Sequence, residues 1–232
     1  MIPISEWYKD LGQFSFPTVF VALRPVEVKA LLAGDCDGDD AKQAIGRVQQ
    51  GIHDLPGSAF VSADVCAPTD SEKFGKRASV SYGRVAWRLL AASAKVCEAF
   101  RNKLTERIVI RPFRRMNRTR EFRLFFRGRK LLGMSQYNLE RHFGRLAKRE
   151  KELWRRGQKC AETFKDFLPY SDVVVDIYLT SDDRVLIVDL NPWGPPTDPL
   201  LFRTWERDWE SKPGIKLIPR PMKMKGEISV SF

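Results

Sequence analysis

The chain has 232 residues, 43% of them hydrophobic, with 15 Phe and 6 Trp. Such a composition excludes a disordered or collagen-like chain, and the length is enough to bury a core without disulfide staples. No apolar run approaches the roughly 18 residues of a membrane-spanning helix, and 40 Lys+Arg against 29 Asp+Glu give a formal charge of +11.

That charge is uneven. Residues 101–159 hold 20 Lys+Arg and 5 Asp+Glu, a local balance of +15, which leaves −4 for the other 173 residues. A basic segment of this density suits an anionic partner: nucleotide phosphates, RNA or an acidic protein surface. Leu11–Leu23 follows Glu6 and Asp10 rather than a basic stretch, so it does not read as a signal peptide. Cys36, Cys66, Cys97 and Cys160 are scattered with no C-x-x-C pair, as expected of reduced thiols in a cytoplasmic protein. His53 and His142 have no flanking ligand pattern.

In chain order, Phe16–Leu23 reads as a strand and Pro25–Leu32 as a short helix. Gly34–Asp40 is a Gly/Asp loop without the closing Glu of a calcium loop. Ala41–Ile52 reads as a helix, Ser58–Val61 as a strand, and Tyr82–Lys103 as one long helix. From Arg107 the period changes to two: Arg107–Arg111 is a strand stopped by Pro112. Glu121–Phe126 and Lys130–Gln136 form a hairpin around Arg127-Gly128-Arg129. Asn138–Leu168 carries an apolar stripe at three- and four-residue steps, with Gly157 as a break or bend. A second hairpin joins Asp172–Thr180 to Val185–Asn191 through residues 181–184. Mixed elements with antiparallel hairpins predict an α+β fold. Neither a P-loop nor a G-x-G-x-x-G fingerprint is present.

Asp189 and Asn191 alternate onto one strand face with Val185 and Ile187. A four-residue hairpin loop sets Asp176 directly across from Asp189, with Cβ atoms roughly 5 Å apart. Two carboxylates and a carboxamide then converge, an oxygen set that suits Mg²⁺. A register shift of one residue would separate the two acids. The other reading of Asp189-Leu190-Asn191-Pro192 is a strand end that caps a turn.

Glu121-Phe122-Arg123, Leu131–Gln136, Asp176-Ile177-Tyr178 and Val188–Gly194, in this order, resemble the cell division cycle protein 123 family. The likeness covers most of the chain and is strongest from Arg111 to Phe202, with weaker echoes at Ser5–Tyr8, Val48-Gln49 and Ala67-Pro68. It implies an ATP-grasp-like fold of two lobes around a nucleotide cleft, with antiparallel sheets and packed helices. Residues 1–104 would form the amino-terminal half, and residues 105–232 would carry the site motifs. It implies binding of ATP and Mg²⁺ and a role in assembling translation initiation factor 2 through its gamma subunit. By the same resemblance Asp176, Asp189 and Asn191 are metal ligands, and Ala67, Arg111, Pro112, Phe113, Arg114, Glu121 and Arg123 contact the nucleotide. The chain departs from the family at Ser62, Thr69 and Tyr137, where the family has cations, at Val65, where it has an aromatic residue, and at Gly34–Asp40, where a long acidic insertion is reduced. Loss of three cations would weaken ATP binding unless Arg114, Arg115 or Arg118 takes their place. Two other readings remain: an ATP-grasp ligase that works through an acyl-phosphate, and an RNA- or ribosome-associated module that uses residues 101–159.

Overall fold

The computed structural model describes residues 1–72, 78–182, 184–206, 209 and 213–221. Helix α1 (Ile4–Leu11) leads to β1 (Val19–Ala22), α2 (Pro25–Leu32), α3 (Asp39–His53) and β2 (Ala59–Ala63). Two short helices, α4 (Gly83–Ala91) and α5 (Ala94–Arg101), precede β3 (Arg107–Pro112). The hairpin β4 (Glu121–Arg127) and β5 (Lys130–Gln136) is followed by α6 (Gly144–Lys148) and α7 (Glu150–Phe164). A second hairpin, β6 (Val173–Leu179) and β7 (Val185–Pro192), and a short strand β8 (Gly214–Lys216) complete the described elements. No helix among the described residues is long and apolar enough to cross a membrane.

The strands make two sheets. The first has the order β1-β3-β2, all antiparallel, and the second β7-β6-β4-β5-β8, with β8 parallel to β5. The α+β class read from the sequence is therefore the class observed. Each sheet has its own core. Val21, Val61, Ile108 and Ile110 pack under α2–α5, with Trp87 fully buried. Phe122, Leu124, Phe126, Val175 and Ile177 pack under α7, and α1 adds the fully buried Trp7. Each large apolar side chain removed from water contributes roughly 1.5–3 kcal/mol.

A division at residues 104 and 105 does not follow these lobes. β3 lies beyond that point yet sits at the centre of the first sheet, because its continuous apolar run Ile108-Val109-Ile110 is buried on both faces and fits between β1 and β2. In the other direction, α1 comes from the amino-terminal end but packs in the second core.

Two expected helices are shorter than their patterns. Tyr82–Lys103 breaks at Ala92-Ser93, where the Ser93 hydroxyl accepts from Val96 N at 3.2 Å and caps α5. Asp70 fixes that hydroxyl at 2.5 Å. A residue that satisfies free N–H groups ends one helix and begins the next. Asn138–Leu168 becomes helical only from Gly144, with a joint at Arg149, whose φ and ψ lie outside the helical range. Gly157 does not interrupt α7. Its missing side chain admits Met134, since a Cβ there would lie 2.6 Å from the sulfur. The strand expected over Phe16–Leu23 shortens to Val19–Ala22. In the Gly34–Asp40 loop, Asp35 Oδ1 accepts from the backbone of Asp37 and Gly38. All four cysteines are free.

Candidate functional site

The second sheet has two different faces. Alternate residues of β4 and β6 (Phe122, Leu124, Val175, Ile177) point into the core under α7. Their neighbours Glu121, Arg123 and Asp176 lie on the opposite face, next to a group of aromatic side chains built on Phe125, Trp193, Phe202, Trp205 and Trp209. The buried charges of Arg123 and Asp176 persist there because the two side chains satisfy each other.

Arg123 sits across β4–β6 from Asp176. Its Nε donates to Asp176 Oδ1 at 2.7 Å, its Nη2 to Oδ2 at 2.8 Å, and its Nη1 to the Asp198 carbonyl at 2.7 Å. Tyr137 lies against the guanidinium, 5.2 Å from ring centroid to Cζ. Both charged side chains are about nine-tenths buried. A planar fork on a carboxylate is the geometry that arginine provides best.

Asp176 is paired in the next register position with Asp189. The pairing arises through a feature not visible in the sequence. Thr180 N bonds Arg184 O, and Leu179 pairs Val185, so the turn is one residue tighter than residues 181–184 suggest. A bulge at Val188 then restores the register, moving the pairing from Ile177–Ile187 to Asp176–Asp189. Without the bulge, Asp176 would oppose Val188 and the acids would point apart. The bulge carbonyl is itself used: Arg111 Nη1 donates to Val188 O at 2.8 Å.

Asn191 Nδ2 donates to Asp176 Oδ2 at 3.0 Å. Asp176 therefore accepts three hydrogen bonds from Arg123 and Asn191, of roughly four lone-pair sites on a carboxylate. Asp189 is poorly supplied by contrast. Its described hydrogen bond is the one from its neighbour Leu190 N, at 2.9 Å. Burial, then the Asp176 charge, pushes its carboxyl up to about 7, and Arg111 offsets only part of this. Burial also raises the Glu121 carboxyl, with Asp176 adding to it and Arg118 opposing.

Arg111 projects from the first sheet toward β7. Its Nε donates to Thr18 Oγ1 at 3.2 Å, and its Cζ lies 5.5 Å from the Trp7 ring centroid. Desolvation holds its pKa below the usual arginine value. Its Nη2 is buried with no hydrogen-bond partner. An orphaned donor near an under-supplied carboxylate is the arrangement that an incoming anion and cation would complete.

Two cavities border this region. The smaller, about 650 Å³, is lined by Arg123, Tyr137, Asn191, Thr197 and Asp198 among others. The larger, about 1240 Å³, takes in Pro112 and Arg114. Arg111 lines neither of these two. Its apolar seat on Trp7 and its bond to the β7 backbone draw it between the lobes instead. Phe113 donates its N–H to Ser58 O at 2.8 Å, which carries the ladder one residue past Pro112. Ala67 lies in the loop after β2, its carbonyl accepting from Thr69 N, and lines neither cavity.

Ser62 is buried in β2 opposite Val109. At Thr69 a cation is close by, since Lys95 Nζ donates to its hydroxyl at 3.2 Å. Sequence reading missed Thr18, the Val188 carbonyl and the Asp198 carbonyl as partners of the two arginines. Backbone acceptors leave no residue-type signal, and Thr18 is distant from Arg111 in the chain.

Among the described residues no group of three His, Cys, Asp or Glu could hold a metal. The available set is Asp189, the Oδ1 of Asn191 and the remaining lone pair of Asp176. These are hard oxygen donors that fit Mg²⁺ with water or phosphate completing its shell.

The molecule is thus an α+β protein of two packed lobes, with an arginine–carboxylate row where the second sheet meets the first lobe. A family model described as D123 matches residues 45–218. The chain belongs to this family, that of cell division cycle protein 123. It is 27% identical over 175 residues to a Xenopus laevis protein named translation initiation factor eIF2 assembly protein, covering 69% of this chain and 52% of that one. A Danio rerio protein of the same name is 33% identical over 103 residues, covering 43% and 28%. The chain spans about half the length, or less, of these curated relatives. The structure of C-terminally truncated Cdc123 from Schizosaccharomyces pombe superposes with a TM-score of 0.80 at 21% identity, covering 94% of this chain and 95% of that one. The two-lobed fold expected from the resemblance is therefore the fold of this chain.

Proposed function

We propose that this chain binds ATP with Mg²⁺ in an ATP-grasp-like site and acts in the cytoplasm as an assembly factor for translation initiation factor 2, engaging its gamma subunit or an analogue. The observation that carries the nucleotide half is the convergence of Asp189, Asn191 and Asp176 with two arginines from different sheets, one bearing an orphaned buried donor. The partner half is supported by family membership and by the names of the relatives.

In this reading Asp189 and Asn191 hold the metal, which shields phosphate oxygens when bound. Asp176 positions Arg123 and contributes at most one further oxygen. Arg111 Nη2 is the donor free to meet an anionic oxygen. Arg123 has fewer donors to offer, because three of its five N–H groups serve Asp176 and Asp198. Arg123→Ala accordingly acts first through the fold and only secondarily through a phosphate contact.

The test is thermal unfolding and calorimetric titration with ATP in the presence and absence of Mg²⁺, followed by binding to purified gamma subunit with and without nucleotide. Stabilisation that requires Mg²⁺ and disappears in Asp189→Ala, together with gamma-subunit binding, supports the proposal. An ATP response identical in Asp189→Ala refutes the site. Absence of gamma-subunit binding by a folded, nucleotide-loaded chain refutes the partner.

A further inference from the structure

The larger cavity, about 1240 Å³, is walled by residues from both lobes. Arg114 and Arg115 come from the loop after β3, Arg120 from the turn before β4, and Arg155, Arg156 and Lys159 from α7. Against them the lining offers two acids, and both are already engaged: Glu152 with Arg149, and Asp182 with Arg184. The side chains of Arg114, Arg115, Arg120 and Lys159 have no hydrogen bond or ion pair among the described residues. Arg115, Arg155 and Lys159 are exposed. Gathering cations of one sign from separate elements, with little neutralisation, costs stability through self-repulsion and is relieved by a polyanion.

The chemistry of the wall identifies the polyanion. Arginines outnumber lysine, which favours planar, bidentate recognition of phosphate or carboxylate. Interleaved with them are half-buried rings, Phe14, Phe16 and Tyr178, with Leu186 and Pro17 between. A row of carboxylates has no use for ring faces, whereas unstacked bases do. The volume exceeds the usual range of a single small-ligand pocket, about 300–1,000 Å³, and suits several linked units.

We propose that this cleft binds a short stretch of single-stranded RNA, its phosphates on the arginines of both lobes and its bases against Phe16 and Tyr178. None of Arg123, Asp176, Asp189 or Asn191 lines it, so this binding does not depend on the metal set, although Pro112 and Arg114, both expected nucleotide contacts, do line the cleft. The charge concentration read from residues 101–159 is thereby divided. The loop and α7 cations serve the cleft, whereas Arg111 and Arg123 are held by backbone carbonyls, Thr18 and Asp176.

The test uses the full chain and four fluorescent probes of matched charge: octauridylate, octa-adenylate, inorganic polyphosphate and oligoglutamate. With about four phosphates neutralised, affinity for the RNA should fall about 50-fold between 50 and 200 mM salt. The exposed triple variant Arg115→Ala, Arg155→Ala, Lys159→Ala should lower it at least 10-fold, with an unchanged circular dichroism spectrum. Phe16→Ala should weaken both RNAs about 10-fold and leave polyphosphate unaffected. Asp189→Ala, at a residue that does not line the cleft, should leave RNA affinity unchanged. Equal binding of polyphosphate or oligoglutamate, or an RNA affinity that the triple variant does not reduce, overturns the proposal. If the Phe16 variant is unfolded, Tyr178→Leu reads the same stacking contribution.

Discussion

Two of the places where this molecule holds a carboxylate out of water meet the cost in opposite ways. In the first lobe, Glu27 is completely buried at the start of α2. Arg47 forks onto it at 2.7 and 3.0 Å, Arg24 Nε adds a bond at 3.0 Å, and the Arg24 backbone N–H another at 2.7 Å. Those bonds hold its carboxyl down at about 2 despite burial. In the second lobe, Asp176 and Asp189 face each other with one forked arginine between two acids, and Asp189 rises to about 7. A saturated carboxylate serves the fold. An unsaturated one beside a like charge is stable only because the fold around it is, and it answers to a ligand.

Breaking the Arg123–Asp176 pair should have the largest effect. Arg123→Ala leaves Asp176 buried with a single side-chain donor, Asn191, beside a second acid. Loss of one partner of a buried pair costs roughly 3–5 kcal/mol. Denaturant unfolding should show that loss, and Asp176→Asn added to Arg123→Ala should recover part of it. A double variant no more stable than Arg123→Ala would mean that the pair is not the structural unit described here.

The matching test in the first lobe depends on pH. Glu27 has a folded pKa of about 2 against an ordinary 4.5, a depressed acid. Its contribution, roughly 3 kcal/mol, is fully present above pH 4.5 and is lost as pH falls toward 2. Glu27→Gln should therefore be destabilised relative to the parent by about that amount at pH 7. The gap should close across the window from about 4.5 to 2. A gap independent of pH would assign the effect to packing rather than charge.

Asp189 gives the converse. With Mg²⁺ at about ten times its dissociation constant, linkage adds roughly 1.4 kcal/mol, or about 3–6 °C in Tm for a chain of this size. Asp189→Asn should abolish that shift. In chelator it should melt no lower than the parent, because the substitution removes a charge that Asp176 repels. A lower Tm in chelator would place Asp189 with Glu27, as a carboxylate the fold requires.

What the sequence allowed a reader to see follows the same division. Alternation placed Asp189 and Asn191 on one face, but the expectation that Val185 and Ile187 share it is overturned, because the bulge at Val188 leaves those two toward the core and turns Asp189 to the other side. The opposition of Asp176 to Asp189 came out of a four-residue loop, but the chain reaches it by a tighter turn and a compensating bulge. Both devices are backbone events, and the bulge is flanked by the Arg111 bond to Val188 O and by Ser15 Oγ on Ile187 O at 2.7 Å. Neither contact is local, so no pattern within β7 encodes it. The long helix patterns were real as periodicity but silent on Ser93, whose cap depends on Asp70 some twenty residues earlier. The basic cleft was legible as charge and not as a place, because Phe14, Phe16 and Tyr178 reach it from distant parts of the chain. The saturation of Glu27 was hidden for the same reason, since Arg47 arrives from the next helix.

The smallest expected effect tests whether that saturation is redundant. Arg24 and Arg47 both reach Glu27, but the Arg24 side chain is about half exposed and also touches Asp40 and Gln43. Removing it with Arg24→Ala leaves the Arg47 fork and the backbone N–H of residue 24 in place, so the carboxylate keeps three of its four bonds. An exposed ion pair of this kind is worth about 0.2–1 kcal/mol and is screened by salt. Arg24→Ala should therefore cost less than about 1 kcal/mol in low salt, and the difference should shrink in 1 M NaCl. The contrast with Arg123→Ala is the point of the measurement. Each variant removes an arginine bound to a buried carboxylate, yet one carboxylate keeps a second arginine and the other keeps only an amide. Comparable losses from the two substitutions would show that supply of donors does not distinguish these sites, and that Asp176 and Asp189 have no more need of a ligand than Glu27 has.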